Sequence, residues 1–231
     1  MKKIFLTLIA FVLVFTVTAC NNKKDNSSAL AFKEEYEALN GKENANGKVH
    51  RTLNISEDNP YIKVTPKEIV DKIEKGDTFY LYVGDPLCPW CRSVLEKSIE
   101  VAKENGVDKI YYIDIWDDEG TEILRDKYEF VDNKLTKTVD GTKEYYKLLE
   151  AFNSVLRDYT IVDSNNETVE VGEKRIYAPN YFFIKDGKVV RMISGKSDKQ
   201  TDTREELTKE MLEDVEEQFN ELFLEVCDDA C

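Results

Sequence analysis

Apolar residues recur along the chain in two patterns, one typical of buried strands and the other of amphipathic helices. Residues 79–83 (FYLYV) and 110–116 (IYYIDIW) form apolar runs that are too short for helices and rich in aromatic and β-branched side chains, which favours buried strands. Between them, apolar positions over residues 94–102 follow helical spacing, and a stop signal follows at Asn105-Gly106. Strand, helix and strand in this order predict a βαβ unit with parallel strands.

Further elements are predicted before this unit. They are a weak helix over residues 30–39, an extended segment over 49–55 and a strand over 59–64. The clearest helix start comes next, because Thr65 is a suitable N-cap, Pro66 suits the first helical position and Glu68 completes a capping box. We expect this helix to end at Gly76.

The segment that follows the βαβ unit departs from its pattern. Over residues from about 118 to 173 we expect a helical insertion. It would contain an acidic helix over 121–128 and an amphipathic helix over 143–159, whose apolar residues share one face. A strand is predicted over 159–162.

The C-terminal part is predicted to contain a hairpin and a helix. Two apolar runs over residues 181–184 and 189–193 are joined through Asp186-Gly187, which is a strong signal for a β-hairpin. Apolar residues with helical spacing over 207–226 predict a long terminal helix. Together these patterns predict one α/β domain over residues 30–231, a length that suffices for a hydrophobic core.

The N-terminal residues are typical of a secretion signal. Two lysines precede an apolar run over residues 4–17 that is short for a membrane span. The run leads to Val-Thr-Ala-Cys20, which resembles the bacterial lipobox, whose cysteine is acylated and becomes the first mature residue. We expect a signal peptide over 1–19, a lipidated Cys20 with a polar tether over 20–29, and an extracytoplasmic protein anchored to a bacterial cell membrane. The alternative is an ordinary signal peptide with an incidental cysteine.

The formal charge of the chain is −14, from 46 acidic and 32 basic side chains. Such a balance repels phosphate backbones, and no basic cluster stands out in the sequence, so we do not expect nucleic acid as a partner. The acidic residues are spread over the predicted helices and loops, where they favour solubility.

The chain has five cysteines. If Cys20 carries lipid, the other four form two close pairs, Cys88 with Cys91 and Cys227 with Cys231, in a compartment where disulfides persist. For the second pair we favour a local disulfide, which requires that the terminal helix has ended by Cys227. The alternatives are a second dithiol that relays electrons to the first, a metal clip, or free thiols.

The motif Cys88-Pro89-Trp90-Cys91 lies where a predicted strand ends and a helix begins. Unpaired N–H groups and a partial positive charge at a helix N-terminus stabilise a thiolate, so Cys88 is the expected nucleophile. Cys91, one turn later, would resolve the mixed disulfide. The alternatives are a structural disulfide and half of a zinc site, although this context differs from a zinc knuckle. His50, the sole histidine, is far from the motif in sequence, and we expect no catalytic role for it.

Several segments carry a resemblance to a known family. They are the run FYLYVGDPLCPWC with the helix after it, the strand IYYIDIWDD, the segment Tyr177-Ala178-Pro179-Asn180 before a strand, the Asp-Gly hairpin and the terminal helix. Over residues 60–226, apart from the insertion, the chain resembles the thioredoxin-like superfamily, and within it the Gram-positive thioredoxin-like lipoproteins known as bacteriocin transport accessory proteins. The resemblance implies a thioredoxin-like fold, in which helices flank a central mixed sheet.

The resemblance also implies roles for particular residues. Pro179 matches the proline with a cis peptide bond that faces the two cysteines in this family, and Ala178 before it would offer backbone hydrogen bonds to a substrate chain. With Trp90 they form the expected substrate-binding set. The implied activity is disulfide exchange with a protein or peptide, and neither a metal nor another cofactor is expected.

The chain departs from thioredoxins proper in two respects. Those proteins have a buried acid six residues before the first cysteine, where this chain has Tyr82. Asp85 and Asp114 are the nearest candidates for its role. The dipeptide Pro89-Trp90 also differs from the usual Gly-Pro, and since this pair tunes the reduction potential, the direction of electron flow is open.

A thiol-disulfide oxidoreductase is therefore the leading hypothesis. The alternative from another class is a non-catalytic accessory module that keeps the fold in order to dock a transporter or a secreted peptide. A metal chaperone that uses both cysteine pairs is the third. The sequence leaves the redox partner and the oligomeric state open.

Overall fold

The fold consists of helices on both faces of a central sheet, with two additional hairpins. The computed structural model describes residues 26–116 and 124–224. In chain order the elements are α1 (Ser27–Glu37), β1 (Tyr61–Lys63), α2 (Pro66–Lys75), β2 (Phe79–Gly84), α3 (Pro89–Glu104), β3 (Ile110–Asp114), β4 (Lys127–Val131), β5 (Lys134–Val139), α4 (Lys143–Phe152), β6 (Arg157–Val162), β7 (Thr168–Arg175), β8 (Asn180–Lys185), β9 (Lys188–Ile193) and α5 (Lys209–Leu224). No helix in the described ranges is long and apolar enough to cross a bilayer. The predicted signal peptide, Cys20, Cys227 and Cys231 lie outside those ranges.

Five strands form a mixed sheet in the order β1-β3-β2-β8-β9. The central strand β2 is parallel to β3 and antiparallel to β8, so the predicted βαβ unit is confirmed. Because Val83 pairs with Asn180, the end of β2 lies beside the start of β8. The CPWC motif after β2 is therefore next to the Ala178-Pro179 segment that precedes β8.

Alternate side chains of β2 pack into two separate cores, because successive residues of a strand point to opposite faces. Tyr80 and Tyr82 lie in an aromatic core with residues of α1, α3 and α5. Leu81 and Val83 lie in a second core with residues of α2 and α4. Every residue of β2 is buried, as its continuous apolar run predicts. The protein is thus a mixed α/β structure with a five-stranded sheet flanked by helices.

The helix α2 and the last hairpin agree closely with the sequence patterns. Thr65 and Glu68 form the reciprocal capping box, and Gly76 ends the helix in a left-handed conformation with φ of 78°. At the turn between β8 and β9, Asp186 and Gly187 have positive φ angles of 50° and 71°, as a tight two-residue hairpin requires. The terminal helix is confirmed as α5 up to the last described residue.

The predicted helical insertion is wrong in its main feature, because this segment is largely two β-hairpins around a single helix. Residues 127 and 128 of the predicted helix over 121–128 lie in β4, and the part over 117–123 lies outside the described residues. Strand β4 pairs with β5 through a turn at Asp132 and Asn133, whose positive φ angles of 49° and 60° fit the two short polar side chains. The turn at Asp132 and Asn133 favours a hairpin, so residues 127 and 128 form part of a strand instead of the predicted helix.

The amphipathic helix of the insertion is shorter than predicted. It ends at Phe152 instead of residue 159, and the predicted strand over 159–162 begins earlier, at Arg157. Strand β6 pairs with β7, whose alternation of partly buried and exposed residues is typical of a strand. Pairing of residues 157–162 with the next strand, β7, therefore replaces the end of the predicted helix, and the helical spacing of apolar residues does not reveal this pairing.

Near the N-terminus the differences are smaller. Helix α1 begins at Ser27 instead of residue 30, and buried Ala29 accepts a hydrogen bond from the Asn59 side chain, so the last part of the predicted tether belongs to the fold. The segment over 49–55 forms no strand, and only Val49 makes an isolated bridge, to Glu43. The predicted strand over 59–64 is confirmed as the shorter β1.

Candidate redox site

The two cysteines of the motif lie at the N-terminus of α3. Cys88 is the N-cap residue, Pro89 takes the first helical position, and the Cys91 backbone N–H donates a hydrogen bond to the Cys88 Sγ at 3.4 Å. Both cysteines are free thiols; Cys88 is partly exposed and Cys91 is fully buried. The first sulfur is therefore accessible from outside the protein, and the second is not.

The Ala178-Pro179 segment faces the Cys88 thiol. The peptide bond between Ala178 and Pro179 is cis, as the resemblance implied, and the Cys88 thiol donates to the Ala178 carbonyl at 3.4 Å. The Asn180 side chain holds this turn by accepting from the Tyr177 N–H at 2.7 Å. The sequence-predicted residues Cys88, Ala178 and Pro179 thus lie together, although 90 positions separate the first two.

The two thiols differ in their tendency to ionise. The hydrogen bond from the Cys91 side chain is the largest cause that lowers the pKa of Cys88, and the Cys91 backbone N–H adds to it against the opposing effect of burial. Burial raises the pKa of Cys91 well above its ordinary value, and the neighbouring Cys88 raises it further. Cys88 is therefore the thiol that ionises first, which is the property of a nucleophile.

Of the two acids considered in place of the missing carboxylate, only Asp85 acts on the thiols. Asp85 is buried, burial raises its pKa to about 6, and the Leu87 N–H opposes that rise by donating to its carboxylate at 2.7 Å. Its negative charge raises the pKa of both Cys88 and Cys91. Asp114 is instead paired with Lys63 at 3.4 Å.

Tyr82 occupies the position of the expected buried acid. Its hydroxyl is hydrogen-bonded to that of Tyr36 at 2.9 Å, and burial keeps the Tyr82 pKa well above its usual range. A hydrogen bond from Tyr82 lowers the pKa of Cys91. Gly84 leaves room for this ring, because a Cβ atom there would lie only 2.3 Å from the Tyr82 hydroxyl oxygen. At this position a neutral donor, instead of a carboxylate, is hydrogen-bonded to the Cys91 thiol.

Tyr82 belongs to a cluster of buried tyrosines that the sequence analysis did not identify. Its members are Tyr36, Tyr61, Tyr82, Tyr112 and Tyr181. The Tyr82 ring is stacked on Tyr181 with centroids 4.4 Å apart, and the Tyr61 hydroxyl is 2.7 Å from the Ser98 hydroxyl oxygen. Tyrosines at alternate positions on neighbouring strands were the available signal, but only the sheet register shows that they share one face.

Trp90, Ala178 and Pro179, the predicted substrate-binding set, line one cleft of about 480 Å³. The cleft also includes Arg157 from β6 and Lys196, which follows β9; neither was singled out from the sequence. A larger cavity of about 590 Å³ lies between α4 and the β6–β7 hairpin, and no cysteine lines it. No cysteine lines the smaller cleft either, but Ala178, which lines it, accepts a hydrogen bond from the Cys88 thiol, so this cleft is next to that sulfur.

Arg92 fixes the loop before the motif from inside the protein. Its side chain is 1 % exposed and donates to the Tyr36 carbonyl at 2.8 Å, to the Arg51 carbonyl at 3.0 Å and to the Pro86 carbonyl at 3.3 Å. It also donates to the Asn40 side chain at 2.8 Å. These bonds connect the N-terminal segment to the residues just before Cys88 and to α3.

In the part of the chain that the structure describes, no three His, Cys, Asp or Glu side chains converge to form a candidate metal site. His50 is buried, and burial lowers its pKa, with Arg92 and Arg204 acting in the same direction. The terminal cysteines, which a four-cysteine site would need, lie outside the described residues.

Comparison with protein-family models and with curated proteins identifies no relative of this chain. No protein-family model matches the chain, and no curated protein matches its sequence. The chemistry of the site therefore has to be inferred from its own geometry.

Proposed function

We propose that this chain is a thiol-disulfide oxidoreductase that exchanges disulfides through Cys88 and Cys91. The observation that carries the proposal is the position of the Cys88 sulfur, which accepts from the Cys91 N–H and donates to the carbonyl of Ala178. A partly exposed thiol that ionises first and a buried second thiol one turn later are the parts that disulfide exchange through a mixed disulfide needs.

The strand order supports a thioredoxin-like fold as the finer description. In the order β1-β3-β2-β8-β9 the central strand β2 leads into the CPWC motif, and its antiparallel neighbour β8 follows the cis-proline. The resemblance to Gram-positive thioredoxin-like lipoproteins agrees with this arrangement. The two hairpins and α4 are inserted between β3 and β8.

The proposed reaction has two exchange steps. The Cys88 thiolate attacks a substrate disulfide, a bond forms between Cys88 and one substrate sulfur, and the other substrate sulfur leaves as a thiolate. The Cys91 thiolate then attacks Cys88, which closes the bond between the two cysteines and releases the substrate as a dithiol. Two electrons pass from the protein to the substrate, and the reverse sequence donates a disulfide.

Several residues adjust these steps. Because its pKa is lowered, Cys88 supplies the thiolate for the first step. The Tyr82 hydroxyl assists ionisation of Cys91 in the second step. Asp85, whose pKa is about 6, is the carboxylate available to receive the Cys91 proton near neutral pH.

We also propose that the protein acts outside the cytoplasm, anchored to the membrane by lipid on Cys20. The apolar N-terminal run and the lipobox-like sequence support this location, in which disulfides are stable. Its substrate would be a protein or peptide disulfide or dithiol, and the exchange itself consumes no bound cofactor.

Reduction of insulin disulfides by the full chain, with dithiothreitol as the reductant, tests the proposed activity. Cys88→Ser should abolish turnover, because Cys91, the other cysteine among the described residues, is fully buried and out of reach of a substrate disulfide, whereas Cys227→Ser should keep most of it. A fully active Cys88→Ser variant would overturn the assignment. A docking module with an inert dithiol would show no turnover in the wild type and a Cys88 pKa near 8.5, the approximate value of a free thiol.

The direction of electron flow requires a second experiment. Equilibration of the Cys88-Cys91 couple with glutathione buffers gives its reduction potential. A potential well below that of the surrounding compartment identifies a reductant, and one above it identifies a disulfide donor.

A further inference from the structure

A basic cleft adjoins the two cysteines. Lys196 follows β9, and its ammonium lies 4.5 Å from the centroid of the Trp90 ring, which is a cation–π distance. Arg157, exposed at the start of β6, lines the same cleft from the second hairpin. Ala178, whose carbonyl accepts from the Cys88 thiol, lines the cleft on the side of Cys88. Distant parts of the chain thus place two cations beside the motif.

Neither Lys196 nor Arg157 has an ion-pair partner within the described ranges. Asp158 lines the cleft as well, but its carboxylate is paired with Lys174 at 2.8 Å. Asp198 is exposed and does not line the cleft. Arg157 and Lys196 also line a neighbouring pocket together with Asp198, Asp214 and Glu217, so acidic side chains lie on that side. Within the cleft itself the two cations face one carboxylate, that of Asp158, which is already paired, in a chain whose net charge is −14.

Lys196 interacts electrostatically with several groups around it, among them Cys88. Burial is the largest cause that lowers the pKa of Lys196, and the Arg157 guanidinium lowers it further. The charges of Cys88 and Asp198 act in the opposite direction. Lys196 lines the cleft together with Ala178, the hydrogen-bond partner of Cys88, so an anion held by Lys196 would lie in the cleft next to that sulfur.

We propose that this cleft selects disulfide substrates that carry a glutamate or aspartate close to the reacting cysteine. The inference rests on the thiol-disulfide exchange proposed above and names its substrate class. A substrate segment bonded to Cys88 would lie along Ala178 and Pro179, and a neighbouring side chain would enter the cleft. Its carboxylate would meet Lys196 and Arg157.

Selection would act on the first exchange step. The Cys88 thiolate attacks the substrate disulfide, and the carboxylate in the cleft holds the segment while the second substrate sulfur departs as a thiolate. Attraction between the cations and the acidic side chain increases the rate of encounter and lowers the free energy of the mixed disulfide. Cys91 then releases the acidic segment as a thiol, and the protein dithiol is oxidised to the disulfide.

An alternative role for Lys196 and Arg157 is to stabilise the Cys88 thiolate without binding the substrate. Removal of their charge would then change the rate with every substrate by the same factor. Selection by substrate charge instead changes the ratio of rates between two substrates. The ratio is therefore the quantity to measure.

The test uses pairs of short oxidised peptides that differ only in glutamate or glutamine at one position near the cysteine, scanned one position at a time. The reduced full chain is mixed with each peptide in a single turnover, and thiol formation is followed by alkylation and mass spectrometry to give the second-order rate constant of reduction. At the preferred position, the wild type should reduce the glutamate peptide about fivefold faster than the glutamine peptide. Higher salt should shrink this advantage, because the charges become screened.

Two charge variants and one control complete the experiment. Lys196→Met keeps an apolar stem over Trp90, and Arg157→Gln changes an exposed side chain, so both should fold. The double variant should lose the preference for glutamate while it still reduces the glutamine peptide. Lys134→Gln removes an exposed cation from the other hairpin, outside the cleft, and should keep the preference.

Two results would overturn the inference and leave the activity standing: equal rates with both peptides in the wild type at every position, or an unchanged preference in the double variant. If the wild type reduces no peptide and no insulin, then the thiol-disulfide exchange itself fails and the inference falls with it. The insulin assay distinguishes these cases.

Discussion

The hydroxyl groups of Tyr82 and Tyr36 are hydrogen-bonded at 2.9 Å, at the position where the thioredoxin-like family carries a buried acid. Burial raises the pKa of both tyrosines well above their ordinary range, so both stay protonated at neutral pH. Tyr82 can donate a hydrogen bond to the Cys91 thiolate but cannot receive its proton as a base. In the proposed reaction, a neutral donor would therefore assist ionisation of Cys91, and Asp85 would be the base.

Replacement of Tyr82 by phenylalanine should slow the second exchange step. A hydrogen bond to a charged group contributes about 1.5–3 kcal/mol, so its loss should slow attack by Cys91 about tenfold or more. Stopped-flow mixing with an oxidised peptide should then show accumulation of the disulfide between Cys88 and the peptide. The first step should change little.

Tyr80→Phe is the matched control for this prediction. Tyr80 lies on the same strand and faces the same core, but its hydroxyl donates to the Phe223 carbonyl at 2.9 Å. Equal slowing in both variants would attribute the effect to the core in general. It would contradict the role given to Tyr82.

Replacement of Asp85 by asparagine should stabilise the protein above pH 6. The folded-state pKa of Asp85 is about 6, and its unfolded value is about 3.9, so the folded state binds more protons between these values and stability falls as pH rises through them. The carboxylate should therefore cost about 2–3 kcal/mol at pH 8 and almost nothing at pH 3. Asparagine still accepts from the Leu87 N–H.

Urea unfolding at several pH values measures this difference. The gain of Asp85→Asn over the wild type should grow from pH 4 to pH 6 and then stay constant. Asp108→Asn, which changes an exposed carboxylate before β3, should show no comparable gain. A gain for Asp85→Asn that is constant over the whole range would exclude the burial of an ionised carboxylate as its cause.

Replacement of Arg92 by methionine should destabilise the fold strongly. The substitution removes every hydrogen bond that the buried guanidinium donates and leaves the Tyr36, Arg51 and Pro86 carbonyls without this donor. We expect a loss of about 2–4 kcal/mol in the free energy of unfolding, measured by urea denaturation.

Lys103→Met provides the comparison for Arg92, because Lys103 is an exposed cation of the same helix. Its replacement should change stability by less than about 0.5 kcal/mol. If both substitutions had similarly small effects, the hydrogen bonds of Arg92 would not hold the loop before the motif.

The parts of the site that follow from local signals were predictable. The buried run before Cys88, the helix that starts at Pro89 and the proline at 179 each have a short-range signature, and the structure has all three. The capping box at Thr65 belongs to the same class. In each case a few neighbouring residues determine the backbone, so one sequence suffices.

The parts that depend on strand pairing or on contacts between distant segments were not predictable. Helical spacing before residue 159 conflicts with the pairing of β6 and β7, and only that pairing decides where the helix ends. The placement of Lys196 over Trp90 likewise joins residues that are far apart in sequence. Their proximity follows from the sheet order, which the hydrophobic pattern left open.

The most direct test of the account is to trap the first intermediate. In a Cys91→Ser variant the second step cannot occur, so reaction with an oxidised peptide should leave a stable disulfide between Cys88 and the peptide. Mass spectrometry of the digested adduct should locate the peptide on Cys88, and the adduct should disappear on reduction. No adduct, or a peptide attached to Cys227 or Cys231 and not to Cys88, would contradict the assignment of Cys88 as the nucleophile.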